Sequence, residues 1–110
     1  MTNLTTTFSA LSDETRMRIF EHLIVDGEIA ASRFVEGSGM SAPAISRHLK
    51  VLRNAGLVDQ RVEGTHRYYS ACPKALRAIA DWTRSHRAFW DASLDRFEQS
   101  LMLDEESGDD

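Results

Sequence analysis

The sequence predicts a mainly α-helical fold with five helices and one β-hairpin. Apolar residues recur at three- and four-residue intervals through both ends of the chain, which is the period of an amphipathic helix. Two short β-favourable runs, 57–62 and 67–70, lie side by side near the middle and are separated by a glycine-containing turn. A chain of 110 residues is long enough for one such domain.

The first two helices are predicted from apolar spacing and from residues that favour helix ends. Leu4, Phe8 and Leu11 fall on one face of a helix. We expect Ser12 to cap a second helix, because two acidic residues follow it where the helix dipole favours negative charge. That second helix should stop near Gly27.

A third and a fourth helix are predicted to follow at close spacing. Residues 30–35 form a short amphipathic segment that ends at the glycines of 37–39. Ser41 is a good N-cap and Pro43 lies in the first turn, where a missing amide proton costs nothing. The fourth helix should end at Gly56, and the short turn before it is typical of a helix-turn-helix.

The fourth helix has two chemically different faces. Ile45, Leu49 and Leu52 fall within about 60° of one another when each residue advances by about 100°. The opposite side is polar and basic, and it carries Pro43, Ser46, Arg47, Lys50 and Asn54. One face is therefore expected in the core and the other in solvent.

The C-terminal half is predicted to be a hairpin followed by a long helix. Residues 63–66 supply the turn, and Pro73 opens the helix. Two tryptophans and two phenylalanines lie on or beside the apolar stripe of that helix, which is more than a core of this size can cover. We therefore expect a homodimer through the first and last helices, with contacts from Leu4, Phe8, Trp90, Leu94, Phe97 and Leu101.

Charge is unevenly distributed along the chain. The formal net charge is −4, but residues 104–110 hold five acidic groups and no basic one. The stretch 41–77 holds seven basic and two acidic residues, so it is suited to a phosphate-bearing partner. We expect a DNA-binding and dimerisation domain over residues 1–103 and a disordered acidic tail over 104–110.

Several classes of protein are disfavoured by the sequence. No apolar run approaches the ~20 residues of a transmembrane helix, and the first residues do not form a secretory signal, so we expect a cytoplasmic protein without a membrane partner. Cys72 is the single cysteine, and an inert packing role for it is favoured over redox sensing. No nucleophile, base and orienting acid stand at a recognisable spacing, so an enzyme is not expected.

Three segments together resemble the ArsR-type (ArsR/SmtB) winged-helix repressors of prokaryotes. Residues 8–16 are similar to the start of that family's second helix, and 41–58 are similar to its recognition helix and the residues after it. Residues 61–69 resemble its wing, and the likeness runs unbroken from residue 4 to about 102. The resemblance implies a homodimeric repressor that binds an inverted-repeat operator in double-stranded DNA and releases it on a signal.

The resemblance also implies roles for individual residues. Arg47 is expected to read a base and Lys50 to bind phosphate, while Ser41 is equally suited to plain capping. His48 falls between the two faces, so a packed structural role is open beside DNA contact. The full set of expected DNA-binding residues is Ser41, Pro43, Ser46, Arg47, His48, Lys50, Arg61, His66 and Arg67.

The sequence departs from the metal-sensing branches of that family. Residues 30–40 contain no cysteine or histidine, and the last helix offers His86 without aspartates at ligand spacing. We expect no metal and no cofactor, and the effector is left open. A winged-helix adaptor that binds protein remains the alternative, although the polar face of the fourth helix suits a DNA groove better.

Overall fold

The computed structural model describes residues 3–108, and describes side chains through residue 105. These residues form five helices and a three-stranded antiparallel sheet. The elements in chain order are α1 (Leu4–Leu11), α2 (Glu14–Asp26), β1 (Ile29–Ala30), α3 (Ala31–Val35), α4 (Ala42–Asn54), β2 (Val58–Glu63), β3 (His66–Ala71) and α5 (Pro73–Gly108). The predicted fold class, helix number and hairpin are confirmed.

The junction of α1 and α2 differs from the expectation. Ser12 keeps a helical backbone and closes α1, where its hydroxyl donates to the Ser9 carbonyl at 2.6 Å. Asp13 is extended, and its carboxylate accepts from the Arg16 backbone N–H at 3.0 Å. Asp13 rather than Ser12 is thus the N-cap of α2, because a cap needs a non-helical backbone that aims its side chain at the free N–H groups.

The sheet contains a strand that sequence reasoning missed. β1 is two residues long and pairs with β3, with Ile29 opposite Tyr69 and Ala30 opposite Tyr68. β3 is therefore the central strand, and β2 pairs along its other side over the full hairpin register. A two-residue strand carries no detectable alternation, so only pairing reveals it.

The core lies where α2 and α4 meet the base of the sheet. Leu23 of α2, Leu49 and Leu52 of α4, and Leu57 before β2 are almost completely buried. Tyr69 of the central strand is also buried, whereas Tyr68 on the other face of the strand is half-exposed. This packing holds α4 by its apolar side and leaves its polar side in solvent.

The chain divides into two compact units, residues 1–78 and residues 79–110, and α5 belongs to both. We expected a disordered tail from residue 104, but α5 continues to Gly108, so that expectation is wrong for 104–108. No proline or glycine interrupts the helix before Gly108, and extending an existing helix costs little per residue. Residues 109 and 110 of the predicted tail lie outside the described residues, and the 1–103 domain boundary stays a prediction.

Candidate nucleic-acid interface

Helix α4 begins at a well-formed cap. Ser41 has an extended backbone, and its hydroxyl accepts from the Ala44 backbone N–H at 3.2 Å. Pro43 lies in the first turn and is exposed. At the other end, Gly56 follows with a φ of +78°, a backbone conformation that glycine adopts without strain. Both predicted ends of this helix are confirmed within two residues.

The two faces of α4 are separated as its sequence predicts. Ile45, Leu49 and Leu52 are no more than 2% exposed. Ser46, Arg47 and Lys50 are exposed. Among the side chains described through residue 105, neither Arg47 nor Lys50 forms a hydrogen bond or an ion pair, so both cationic groups face water. An uncompensated cation on an exposed helix face attracts phosphate.

His48 lies apart from this cationic face. It is half-buried, with its Nδ1 3.4 Å from Arg16 Nη1 and 3.8 Å from Asp13 Oδ2. Arg16 also donates from Nε to the Ala10 carbonyl at 2.6 Å, so it joins the end of α1 to the same cluster. The contacts of His48 favour the structural role: it connects α4 with the junction of α1 and α2.

The Asp13 carboxylate anchors that junction electrostatically. The Arg16 backbone N–H holds the pKa of Asp13 below its ordinary value of 3.8, and the charges of Arg16 and His48 act in the same direction. Partial burial opposes this lowering. Asp13 therefore stays ionised at neutral pH and keeps both the cap of α2 and its contact with His48.

The hairpin of β2 and β3 projects the other predicted DNA-binding residues. Its two-residue turn contains Gly64 at a φ of +62°, which favours glycine. His66 and Arg67 follow the turn and are exposed. Arg67 forms no hydrogen bond or ion pair among the described side chains, so it is available for a phosphate or the minor groove.

Arg61 is engaged within the protein, which the sequence did not indicate. Its guanidinium donates to both carboxylate oxygens of Glu28, at 3.1 and 2.7 Å, and to Glu63 at 2.7 Å. It also lies over the Tyr68 ring, 4.5 Å from the centroid. The two carboxylates raise the pKa of Arg61, with Glu28 the larger influence. Two negative partners offset its charge, so Arg61 fits a role as a brace between the hairpin and the residue before β1 better than its predicted contact with DNA.

The predicted dimer residues differ in exposure. In the helical stretch after residue 79, Trp90, Leu94, Phe97 and Leu101 are each about half exposed or more. Phe89, Met102 and Leu103 are also exposed. In the first unit, Phe8 is exposed at 41% and Leu4 is half-buried. A soluble monomer rarely leaves so long an apolar row in water.

Among the described residues, no three histidine, cysteine, aspartate or glutamate side chains are grouped so that they would hold a metal ion. Cys72 is a half-buried free thiol. No helix in the described part of the chain is long and apolar enough to cross a bilayer.

Comparison with known proteins identifies the family. A family profile described as a helix-turn-helix domain matches residues 11–61. The HTH-type transcriptional regulator Rv2034 of Mycobacterium tuberculosis is 39% identical over 104 residues, which are 94% of this chain and 90% of that protein. The ArsR-like transcriptional regulator from Rhodococcus sp. RHA1 is 33% identical, superposes with a TM-score of 0.67, and is matched over 87% of this chain and 90% of that one. The chain belongs to the ArsR-type transcriptional regulators.

A further relative supports the assignment to the ArsR-type family. The transcriptional repressor SdpR of Bacillus subtilis is 33% identical over 75 residues, covering 68% of this chain and 82% of that protein. This ArsR-type chain is accordingly a DNA-binding transcriptional regulator, and the adaptor alternative is not favoured.

Two residues that hold predicted DNA-binding side chains in place were missed from the sequence. Glu28 fixes Arg61 across 33 positions of sequence, and Arg16 reaches His48 across 32. Neither separation leaves a periodic signal, because the partners lie on different elements. The position of Arg16 three residues after Asp13 indicates only that its backbone N–H meets the cap, and any residue at that position supplies this N–H.

Proposed function

We propose that this protein is a repressor that binds an inverted-repeat operator as a homodimer. The observation that carries the proposal is the division of α4 into a buried apolar face and an exposed face, where Arg47 and Lys50 have no partner among the described side chains. A helix of this kind, held by its apolar side, fits the major groove. The repressor SdpR among its relatives supports the direction of regulation.

The proposed contacts divide into contacts with base edges and contacts with the DNA backbone. Arg47 donates two hydrogen bonds to a guanine edge, which discriminates among base pairs. Ser46 enters the major groove beside Arg47, while Lys50 and the start of α4 near Ser41 bind backbone phosphates. Arg67 and His66 place the hairpin against the adjacent backbone or minor groove. Arg61 is excluded from direct contact in this proposal, because Glu28 and Glu63 already hold it.

The homodimer is supported by the apolar row of α5. Residues Trp90, Leu94, Phe97 and Leu101 follow one another at intervals of four, three and four, so they line one side of the helix. Pairing this row with its copy, together with α1, removes the apolar surface from water. A two-fold dimer in turn presents two copies of α4 to a two-fold operator.

The test is binding to the DNA upstream of the protein's own gene, with a scrambled duplex of the same length as the control. We expect operator binding to exceed scrambled binding by about a thousandfold or more at physiological salt. Equal binding to both duplexes contradicts the proposal. A promoter–reporter assay then separates repression from activation, since loss of the protein should raise expression.

A metal-free mode of regulation, a cytoplasmic location and the absence of catalysis are part of the same proposal. The family assignment to transcriptional regulators supports the cytoplasmic location and the absence of catalysis. The metal-free mode is supported instead by residues 30–40, which contain no cysteine or histidine, and by His86, which has no aspartates at ligand spacing. The signal that releases the operator is then a molecule other than a metal ion.

A further inference from the structure

An open cleft of about 290 Å³ lies between α2, α3, the turn before α4 and the core side of α4. One face of α2 forms one wall, and the turn 36–40 forms the other. Thr15 and Met40 meet at this cleft, with the threonine hydroxyl 3.9 Å from the methionine sulfur. All of these residues belong to the first compact unit. The volume is just below the ~300–1,000 Å³ that is usual for small-molecule sites.

The floor of the cleft is apolar and its rim is charged. Ile19, Phe34 and Ile45 line it and are at least nine-tenths buried. Arg33 and His22 stand at the exposed rim, and among the side chains described through residue 105 neither forms a hydrogen bond or an ion pair. An apolar floor beneath convergent polar groups is the pattern of an organic ligand site.

The remaining charged groups of the rim narrow the choice of ligand. Arg18 already donates to Glu14 at 2.6 Å, whereas Arg33 has no such partner among the side chains described through residue 105. Glu36 is the acidic group of the lining, at the start of the turn. Arg33 is therefore the cation best placed for an anionic ligand, since a guanidinium binds a carboxylate through two parallel hydrogen bonds.

We propose that this cleft binds a small organic carboxylate and is the effector site of the regulator. The apolar body of the ligand packs on Ile19, Phe34 and Ile45, and its carboxylate accepts hydrogen bonds from Arg33 beside His22. The effector role rests on the proposed operator binding, whereas the binding of a carboxylate in the cleft does not.

The cleft is lined by α4 itself and by the turn 36–40, which orients the start of α4. Ile45 belongs to α4, and the turn leads directly into the Ser41 cap. Within the turn, the Ser38 hydroxyl donates to the Val35 carbonyl at 2.9 Å and accepts from the Met40 backbone N–H at 3.0 Å. A ligand that contacts both walls favours one conformation of this turn over another. The largest change it can cause in DNA affinity equals the ratio of its own affinities for the two conformations.

The binding test uses the full-length protein, with phenylacetate as the probe and neutral phenylacetamide as its comparison. We expect chemical-shift changes confined to the cleft residues, and weaker binding of the amide. Arg33→Gln should reduce phenylacetate affinity by about tenfold, the effect of losing one charge-assisted pair. Arg87→Gln, an exposed arginine of α5, is the matched control and should leave affinity unchanged.

Three results overturn the binding proposal. They are no phenylacetate binding up to millimolar concentration, equal affinity of the acid and the amide, and a loss in Arg87→Gln equal to that in Arg33→Gln.

The regulatory test measures operator affinity with and without saturating phenylacetate. We expect a change of at least about fivefold that disappears in Arg33→Gln, and the operator should change phenylacetate affinity by the same factor. Unchanged operator affinity overturns the effector role while the binding result stands. If the protein does not bind the operator at all, the samples without phenylacetate already show it. Failure of the proposed operator binding is therefore distinguishable from failure of the proposed effector role.

Discussion

Two cationic residues on the same face of α4 are proposed to make different contacts with DNA. Arg47 and Lys50 are both exposed and unpaired among the described side chains. An arginine matches the two acceptors of a guanine edge, whereas a lysine is a flexible point charge that suits phosphate. The distinction predicts different losses on specific and non-specific DNA.

Arg47→Ala should lose about 1–3 kcal/mol of binding to the operator and should flatten discrimination at one base pair in each half-site. Lys50→Ala should weaken operator and scrambled duplexes alike. It should also reduce the salt dependence by about one counterion per subunit, because each neutralised phosphate releases about 0.9 of an ion. Fluorescence anisotropy over a salt series measures both. Equal weakening of both duplexes by Arg47→Ala would contradict the proposed orientation of α4.

Glu28 is predicted to contribute to the acid sensitivity of the fold. The hydrogen bonds from Arg61 hold the pKa of Glu28 below its ordinary value of 4.5. Its stabilising effect is therefore present above that value, and it is lost as pH falls through the folded pKa. Wild type should be more stable than Glu28→Gln at neutral pH, and the difference should shrink on acidification below about pH 4.5. Urea unfolding at several pH values tests this, and a difference independent of pH would refute it.

At the scale of elements, α4 depends on an N-cap whose hydroxyl also lies next to the proposed DNA surface. Ser41 caps α4 through the Ala44 backbone N–H. The same position is expected to lie near phosphate, because a helix N-terminus attracts anions. From the sequence, capping and phosphate contact were equal alternatives for Ser41. A substitution that keeps the cap but adds a negative charge, which phosphate repels, separates them.

Ser41→Asp should keep the stability of the fold, while Ser41→Ala should lose about 1 kcal/mol. If the position lies near phosphate, Ser41→Asp should weaken DNA binding through charge repulsion, and Ser41→Asn, a neutral cap, should bind like wild type. Thermal unfolding and operator titration supply the two measurements. Equal DNA affinity for the aspartate and asparagine variants would leave capping as the sole role of Ser41.

At the scale of the whole molecule, the exposed apolar row of α5 predicts a dimer. Leu94→Glu should shift the protein to monomer at micromolar concentration, because it places a charge in the row. Ala92→Glu is the matched control, since residue 92 lies on the opposite side of the same helix and is exposed. Sedimentation velocity reports the mass. A wild-type monomer that still binds palindromic DNA tightly would contradict the interface.

Regulation of the whole molecule is predicted to be independent of metal ions. Stoichiometric zinc, cadmium or arsenite should leave operator affinity unchanged, because no paired ligands stand in 30–40 and His86 stands without aspartates at ligand spacing. Cys72→Ser should likewise bind DNA as wild type does. Operator titrations with and without each ion test this, and a tight metal complex with shifted affinity would overturn the prediction.

The sequence by itself determined the elements whose signals are local. Ser41, Pro43 and Gly56 delimit α4 because caps and glycine act through their own backbone and the adjacent turn. The apolar faces of α4 and α5 were readable because a helix repeats every 3.6 residues. The hairpin followed in the same way from its β-favourable runs and its glycine turn. These features account for the fold class and for the exposed Arg47 and Lys50.

Only the tertiary structure decided the features that join distant parts of the chain. β1 exists as a strand because β3 offers it hydrogen bonds, and Arg61 is a brace because Glu28 lies beside it. His48 is half-buried because α2 packs against α4. Each depends on a contact between elements about 30 or more residues apart, which no local propensity or period encodes. The sequence therefore located the exposed polar face of α4 that is proposed to contact DNA, and three-dimensional packing determined which of the predicted DNA-binding side chains are engaged within the protein.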